Sequence, residues 1–434
     1  MRRSSLSFLV TLAAAASGFA QPPGSVKMTL QEAEALALKD HPEVLAAQNA
    51  ASAMGRQVVE ARSPYYPTLA WDFTGSGANQ GARIGAGFLT DSRLFNRYGE
   101  GLTVNQLITD SGRTPNLVAS ANLHATAAQN AYQATRYDVL LAVNRAYYNV
   151  LRSQALIKVA QETVSARQLL ADQVTALANN KLRSELDVTF AEVTVSQAKL
   201  LLIQAQDQEQ EASAELTRAI GSQQNSAYTL AEQPLPPSPP LEPEPLVIQA
   251  FGARPELAGL RNELEAANRF ERAERDLKFP TVSLVGVGGD IPYINQLTLP
   301  RVIPSVYGGA AVDVHIPVFN GHLFTARREE AHYRAVEADQ RLRNEADAVA
   351  RDVRTAWAAA STAYQRLDVA AQLLRQATLS MSLAQGRYDL GLSSIVELTQ
   401  AELNQTQAEI ESLTAKYDYQ IQYASLQYTL GALR

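Results

Sequence analysis

The sequence predicts a mainly α-helical chain carrying part of a membrane β-barrel, built from one helix–β-hairpin–long-helix unit written twice. Three observations predict it. The same landmarks recur in two halves, each half holds an almost unbroken helical stretch of more than sixty residues, and each stretch is preceded by two short alternating segments.

The duplication is read from spacing. His41-Pro42-Glu43 precedes Pro67-Thr68, and Arg254-Pro255-Glu256 precedes Pro280-Thr281; both pairs of landmarks, with Arg56 and Arg269, are related by a shift of 213 residues. Beyond the strands the shift is 210, relating Asp110 to Asn320, Tyr147 to Trp357, Leu182 to Leu392, Asp187 to Glu397, Glu192 to Glu402 and Gly221 to Gly431. A register held over such a length marks an internal repeat.

Along the chain, Arg2 and Arg3, the apolar run Leu6 to Ala16, and small residues at Gly18 and Ala20 have the order of a secretory signal, with cleavage expected after Ala20. That run is too short to cross a bilayer core, which needs about 20 apolar residues. The first unit is expected over residues 21–231. It opens with a helical stretch from Leu30 to Arg62. Strands follow at about 67–76 and 98–108, where Leu69, Trp71 and Phe73 alternate with Ala70, Asp72 and Thr74. A long helix over about 111–179 contains no proline after Pro115 and no glycine after Gly112, and would span about 100 Å. A break at Asn179 to Ser184 returns the chain into a helix over about 185–220. The linker 232–246, EQPLPPSPPLEPEPL, holds seven prolines and is extended and solvated. The second unit, 247–434, repeats the order: helix from Pro245 to Leu277, strands at about 280–289 and 305–316, a long helix over about 323–390, a break at Asp389 to Ser394, and a return helix over about 395–430. Alanine, glutamine and glutamate dominate these helices because they lose little side-chain freedom there.

Composition removes several classes of function. The formal charge of −6, or −8 once Arg2 and Arg3 are removed, gives no basic face for nucleic acid. Without cysteine there is no disulfide framework, thiolate metal site or lipid-bearing cysteine. His41, His124, His315, His322 and His332 lie on different elements and lack helical ligand spacing, so no metal site is expected; His315 reads as a polar strand position facing a barrel lumen. Gly286-Val287-Gly288-Gly289 lacks the helix and lysine of a phosphate loop. No nucleophile elbow or paired-carboxylate signature appears, so neither an enzyme nor a cofactor is expected.

Four strands with one apolar face cannot close a barrel. An open edge in lipid would strand backbone polar groups at several kcal/mol each, so closure must come from association. Three chains would supply an even number of strands within the outer-membrane range, although spacing alone does not fix three. Tyr65, Tyr66, Trp71, Phe73, Tyr98, Phe279, Tyr307 and Phe319 cluster around the strands, as an interfacial girdle would.

Five segments in order carry a family resemblance: MTLQEAEALALKDHPEVLAAQ, EARSPYYPTL, QLITDSGR, IPVFNGHL and GRYDLGLSSIVELTQAEL. Together they resemble the TolC-like outer membrane efflux protein family over essentially the whole mature chain. The resemblance implies a homotrimer with a twelve-stranded barrel in outer-membrane lipid, a periplasmic helical tunnel, and loops at Gly75 to Asn96 and Gly289 to Pro304 facing the exterior. It also implies a periplasmic adaptor and an inner-membrane pump as partners.

At the periplasmic tip the resemblance implies a gate of one tyrosine, one arginine and two aspartates. Tyr388 matches the tyrosine and Glu397 the first acidic position, while Ser393 stands for the arginine and Gln400 for the second aspartate. Three Glu397 side chains converging at the mouth would attract a cation. Leu182, Arg183, Ser184 and Asp187, with Gly391, Leu392, Ser393 and Ser394, form the expected adaptor contact, with Gly391 also serving as a residue of positive φ after a helix. The competing reading is a non-pore periplasmic coiled-coil scaffold or adaptor. The substrate, whether drug, metal ion or polypeptide, is not written in the sequence.

Overall fold

The computed structural model describes residues 27–77, 97–222, 229–294 and 305–433. The expected signal segment through Ala20 and most of both expected exterior loops lie outside the described residues. In chain order the elements are β1 Lys27–Met28, α1 Leu30–Asp40, α2 Pro42–Arg62, β2 Thr68–Ser76, β3 Arg97–Thr109, α3 Arg113–Asn179, α4 Glu185–Ile220, β4 Thr229–Leu230, α5 Glu244–Ala253, α6 Pro255–Asp276, β5 Thr281–Ile294, β6 Val306–His315, α7 Leu323–Asp389 and α8 Ile395–Thr429.

The helical stretch expected from Leu30 to Arg62 is two helices, and so is its counterpart in the second unit. The residue before a proline is driven out of the α region by the pyrrolidine ring. His41 therefore sits at φ −69°, ψ 126°, and Arg254 at φ −72°, ψ 124°, each ending one helix while Pro42 or Pro255 opens the next. Thr29 starts α1 through a capping box, its hydroxyl accepting from the Glu32 amide while the Glu32 carboxylate accepts from the Thr29 amide at 2.8 Å.

Each kink receives the end of the return helix of its own unit. Gly221, at φ +79°, closes α4 so tightly against the first kink that a Cβ there would lie 2.9 Å from the His41 Cα. Gly431, at φ +66°, lies against the second, where a Cβ would meet the Ala253 carbonyl oxygen at 2.9 Å. The repeat landmarks are thus one joint built twice.

Around these joints lie two cores, one including Met28, Val44, Val143, Tyr147, Leu216 and Leu230, the other Leu246, Leu257, Val349, Val353 and Leu426. The parallel pair β1–β4, invisible in the sequence pattern, adds to the first. Its ends are held by the Tyr147 hydroxyl, which donates to the carbonyls of Met28 and Ala231 at 3.1 and 2.6 Å. Proline has no N–H, so the linker prolines can only accept. Trp357 Nε1 donates to Pro240 O at 2.8 Å, Gln420 to Gln233 O at 3.1 Å, and the Tyr419 hydroxyl to Pro237 O. Tyr147 and Trp357, equivalent in the repeat, both tie the junction between the units.

The sheet order is β2-β3-β5-β6, all antiparallel. Its register places Leu69, Trp71, Phe73, Leu102, Val104, Leu284, Val312 and Val314 on one face, and Asp72, Thr74, Thr103, Asn105, Ser283, Asp313 and His315 on the other. The apolar face is exposed along its length, as are Tyr65, Tyr66, Tyr98, Phe279, Tyr307 and Phe319 around the sheet. Glu100, Asp290 and Gln106 fall on the apolar face toward its ends, and Tyr307, expected in the girdle, falls on the polar face opposite. The exposed apolar expanse that remains requires lipid or another cover. Among the described residues, no helix is long and apolar enough to cross a membrane.

Candidate functional site

The helices stand side by side in two tiers that share α3 and α7. Next to the sheet the order is α2, α3, α6, α7; toward the far end it is α4, α3, α8, α7. Every layer is therefore open at both sides: β2, α2 and α4 are unpaired on one, β6 and α7 on the other. The far-tier edges carry apolar stripes, with exposed Leu186, Phe190, Val193, Leu200 and Ile203 on α4 and Val369, Leu373, Leu379 and Leu383 on α7. On α4 the spacings of four, three, seven and three are those of a coiled-coil seam awaiting its partner helix; on α7 they are four, six and four, a looser stripe on one edge.

At the far end α3 returns into α4, and α7 into α8, through turns of the same chemistry. Leu182 N bonds Leu177 O at 2.9 Å and Leu392 N bonds Arg387 O at 2.8 Å. This closure needs a left-handed residue, supplied by Lys181 at φ 61° in one turn and Gly391 at φ 72° in the other. Ser184 caps α4 through a capping box with Asp187, and Ser394 caps α8 by accepting from the Glu397 amide. Leu182 and Leu392 are left exposed at the extremity.

Tyr388 is 4 % exposed, packed among Leu170, Val174, Ala384, Ile395, Leu398 and Ala401. Arg183 reaches it from the other turn. Its guanidinium lies 4.3 Å from the Tyr388 ring centroid, and Nη2 donates to the Tyr388 carbonyl at 3.2 Å. Burial pushes the Tyr388 phenol above its ordinary range; Arg183 opposes that, and Asp187 and Asp389 add to it. Among the described residues, the phenolic hydroxyl has no hydrogen-bond partner.

The expected gate residues are thus divided. Glu397 pairs with Arg387 at 3.0 Å, Gln400 bonds Asn404 at 3.0 Å on its own helix, and the Ser393 hydroxyl has no partner among the described residues. Arg183, expected only as an adaptor contact, joins the two hairpins at their turns, while Arg152 and Asp418 at 3.3 Å join α3 to α8 farther from the tip. Higher up, α3 and α8 are also joined by an ion pair that sequence reasoning missed: Arg167 Nη1 to Glu402 Oε2 at 3.3 Å, with side chains only 4 % and 10 % exposed. Burial outweighs their mutual attraction in both groups, lowering the Arg167 pKa and raising that of Glu402. No sequence signal distinguishes these two among the many charges on their helices. Among the described residues, no cluster of histidine and carboxylate side chains could hold a metal ion.

A four-stranded sheet with an apolar outer face, continued into paired long helices and open at both edges, defines a class: one wall segment of a membrane-inserted tube. The family described as "Outer membrane efflux protein" matches residues 35–222 and 246–432, one match to each repeat. The chain belongs to that family. It is 25 % identical over 388 residues to the protein CyaE of Bordetella pertussis, covering 86 % of this chain and 78 % of that one. With the outer membrane protein TolC of Salmonella enteritidis it shares 22 % identity, covering 93 % and 83 %. A crystal structure of a membrane protein from Pseudomonas aeruginosa superposes with a TM-score of 0.79 at 21 % identity, covering 93 % and 90 %.

Proposed function

We propose that three copies of this chain close into one duct, a passive exit channel for an efflux or type I secretion system, fed by an inner-membrane pump through a periplasmic adaptor. The chain is an outer-membrane efflux channel protein by family, with its helical tiers in the periplasm. The observation that carries the assembly is the alignment of open edges. Pairing β6 with β2 of the next copy would complete a barrel of twelve strands from three four-stranded sheets, and the same step would bring α7 onto α2 and α4 of that copy. A closed barrel leaves no backbone group unpaired in lipid. The two units, 21–231 and 247–434 joined by 232–246, would give a trimer six hairpins in alternation. A scaffold or adaptor protein would carry a single helical hairpin between β-rich halves, whereas here two hairpins and two strand pairs run in parallel copies.

In the duct the hairpin turns form the periplasmic mouth. Tyr388 and Arg183 hold the hairpins of one copy together, and Glu397 lines the mouth with Arg387 offsetting part of its charge. The exposed Leu182 and Leu392, with the small residues Gly391, Ser393 and Ser394, offer the adaptor a surface that helices can approach closely. Heat-modifiable trimer bands from outer-membrane extracts, and ion conductance of those trimers in planar bilayers, test the reading; recovery only as soluble periplasmic protein would overturn it.

A further inference from the structure

One row of the sheet crosses all four strands on the polar face, pairing Asp72 with Gly101, Gly101 with Gly289 and Gly289 with Tyr307. Neither glycine has room for a side chain. A Cβ at Gly289 would lie 2.6 Å from the Tyr307 phenol oxygen and 2.7 Å from the Gly101 Cα, and one at Gly101 would collide with the same oxygen. The Tyr307 side chain therefore leans from β6 across β5 onto β3, which brings its hydroxyl toward Asp72 on β2. Beside this row Gly99 pairs with Thr74, and a Cβ at Gly99 would meet Ile291 Cγ1 at 3.2 Å.

The missing side chains leave a recess in the wall. It has a volume of about 290 Å³ and is floored by Gly99 and Gly101, with Asp72, Thr74, Thr103, Val287, Ile291 and Tyr307 around it. In the closed duct, the proposed assembly on which this inference rests, the apolar face meets lipid and this row faces the lumen. Three copies would set three such recesses around it.

The lining has one chemical bias. The Asp72 carboxylate only accepts hydrogen bonds, and the hydroxyls of Thr74, Thr103 and Tyr307 can each accept as well. Among the described residues, no lysine or arginine lines the recess. An anion would meet Asp72 with nothing to offset the repulsion, whereas an ammonium group, which only donates and carries positive charge, satisfies every acceptor. Val287, Ile291 and the Tyr307 ring add apolar surface beside them, and an aromatic ring face attracts a cation within about 6 Å.

We infer that this recess binds an organic ammonium ion carrying a short apolar body. Twelve strands about 4.8 Å apart and tilted by about 40° enclose a barrel about 24 Å across between backbones. An occupied recess therefore narrows the path without closing it, and gives cationic cargo a holding point in the barrel wall.

The trimer in planar bilayers supplies the test. Its single-channel conductance is titrated with phenethylammonium, then with phenethyl alcohol, which keeps the ring and lacks the charge. The expected result is a saturable, partial fall in conductance with the ammonium and none with the alcohol. Asp72→Asn should raise the half-saturating concentration by about tenfold, the effect of losing one charge-assisted hydrogen bond. Asp313→Asn removes a carboxylate from the same face outside the recess and should leave that concentration near the parent value. Heat-modifiable trimer bands report folding, and should Asp72→Asn fail to assemble, Tyr307→Phe is read in its place, with weaker binding expected. No saturable effect of the ammonium, an equal effect of the alcohol, or unweakened binding in the recess variant would overturn the inference. Equal weakening by Asp72→Asn and Asp313→Asn would also overturn it, since that is the signature of diffuse lumen charge. A parent chain that gives neither trimer nor conductance would instead refute the duct, and the lumen recess with it.

Discussion

Replacing Arg183 by alanine removes the one side chain that reaches from the first hairpin turn to Tyr388. The cation over the ring is worth about 1 kcal/mol in a partly exposed setting, and its charge-assisted hydrogen bond to the Tyr388 carbonyl about 1.5 kcal/mol. Arg183 is half-buried, so solvent screening trims the sum to about 2 kcal/mol. That shifts a closed-to-open ratio by about thirtyfold. The assay is the open probability of single channels in planar bilayers. Tyr388→Phe supplies the control, because the hydroxyl it deletes has no partner among the described residues while the ring under the guanidinium is kept. Arg183→Ala is expected to raise open probability by about thirtyfold and Tyr388→Phe to leave it near the parent value. An unaltered Arg183→Ala channel, or a Tyr388→Phe channel as open as Arg183→Ala, would refute the reasoning.

The joint between kink and return helix is tested by Gly431→Ala, where positive φ and a carbonyl oxygen 2.9 Å from the new Cβ predict a loss of about 1–3 kcal/mol. Gly391→Ala meets open space and should lose only the left-handed penalty of about 1 kcal/mol; thermal unfolding in detergent ranks the two, and equal losses would contradict the joint. For Glu402 the folded-state pKa is raised, so the folded chain binds the proton more tightly than the unfolded one. Its contribution to stability is present below the ordinary glutamate value and is lost as pH rises through the raised folded value. Unfolding curves of the parent and Glu402→Gln should therefore differ in pH slope across that window, the parent alone losing stability as pH rises; parallel curves would show that the carboxyl is not desolvated.

Much of this architecture is legible in the sequence, for identifiable reasons. Strand alternation at Leu69 to Thr74 survives into the sheet because one face meets an apolar medium and the other does not. The long helices are legible because proline and glycine are absent from most of their length. His41-Pro42 and Arg254-Pro255 stand out as landmarks, yet helical periodicity runs straight through them and hides the kinks they impose. The pair β1–β4 is beyond reach, since two-residue strands have no period and exist only because Tyr147 and the surrounding core hold them. At the tip the turn residues are readable, but their partners are not. Whether Arg183 points outward or crosses to Tyr388 depends on how α3 meets α8, and the same packing buries Arg167 and Glu402 on helices whose other charges are mostly solvated. Glu397 finds Arg387 because the turn folds the two helices side by side.

The central claim is that the aligned open edges close on two further copies of the chain. Cryo-electron microscopy of the protein extracted from outer membranes tests it most directly. The predicted particle is threefold, with a twelve-stranded barrel in which β6 pairs to β2 of the neighbour, continued by a helical tube of about 100 Å. A monomeric particle, or a ring in which β6 and α7 meet anything other than β2, α2 and α4 of the next copy, would contradict it.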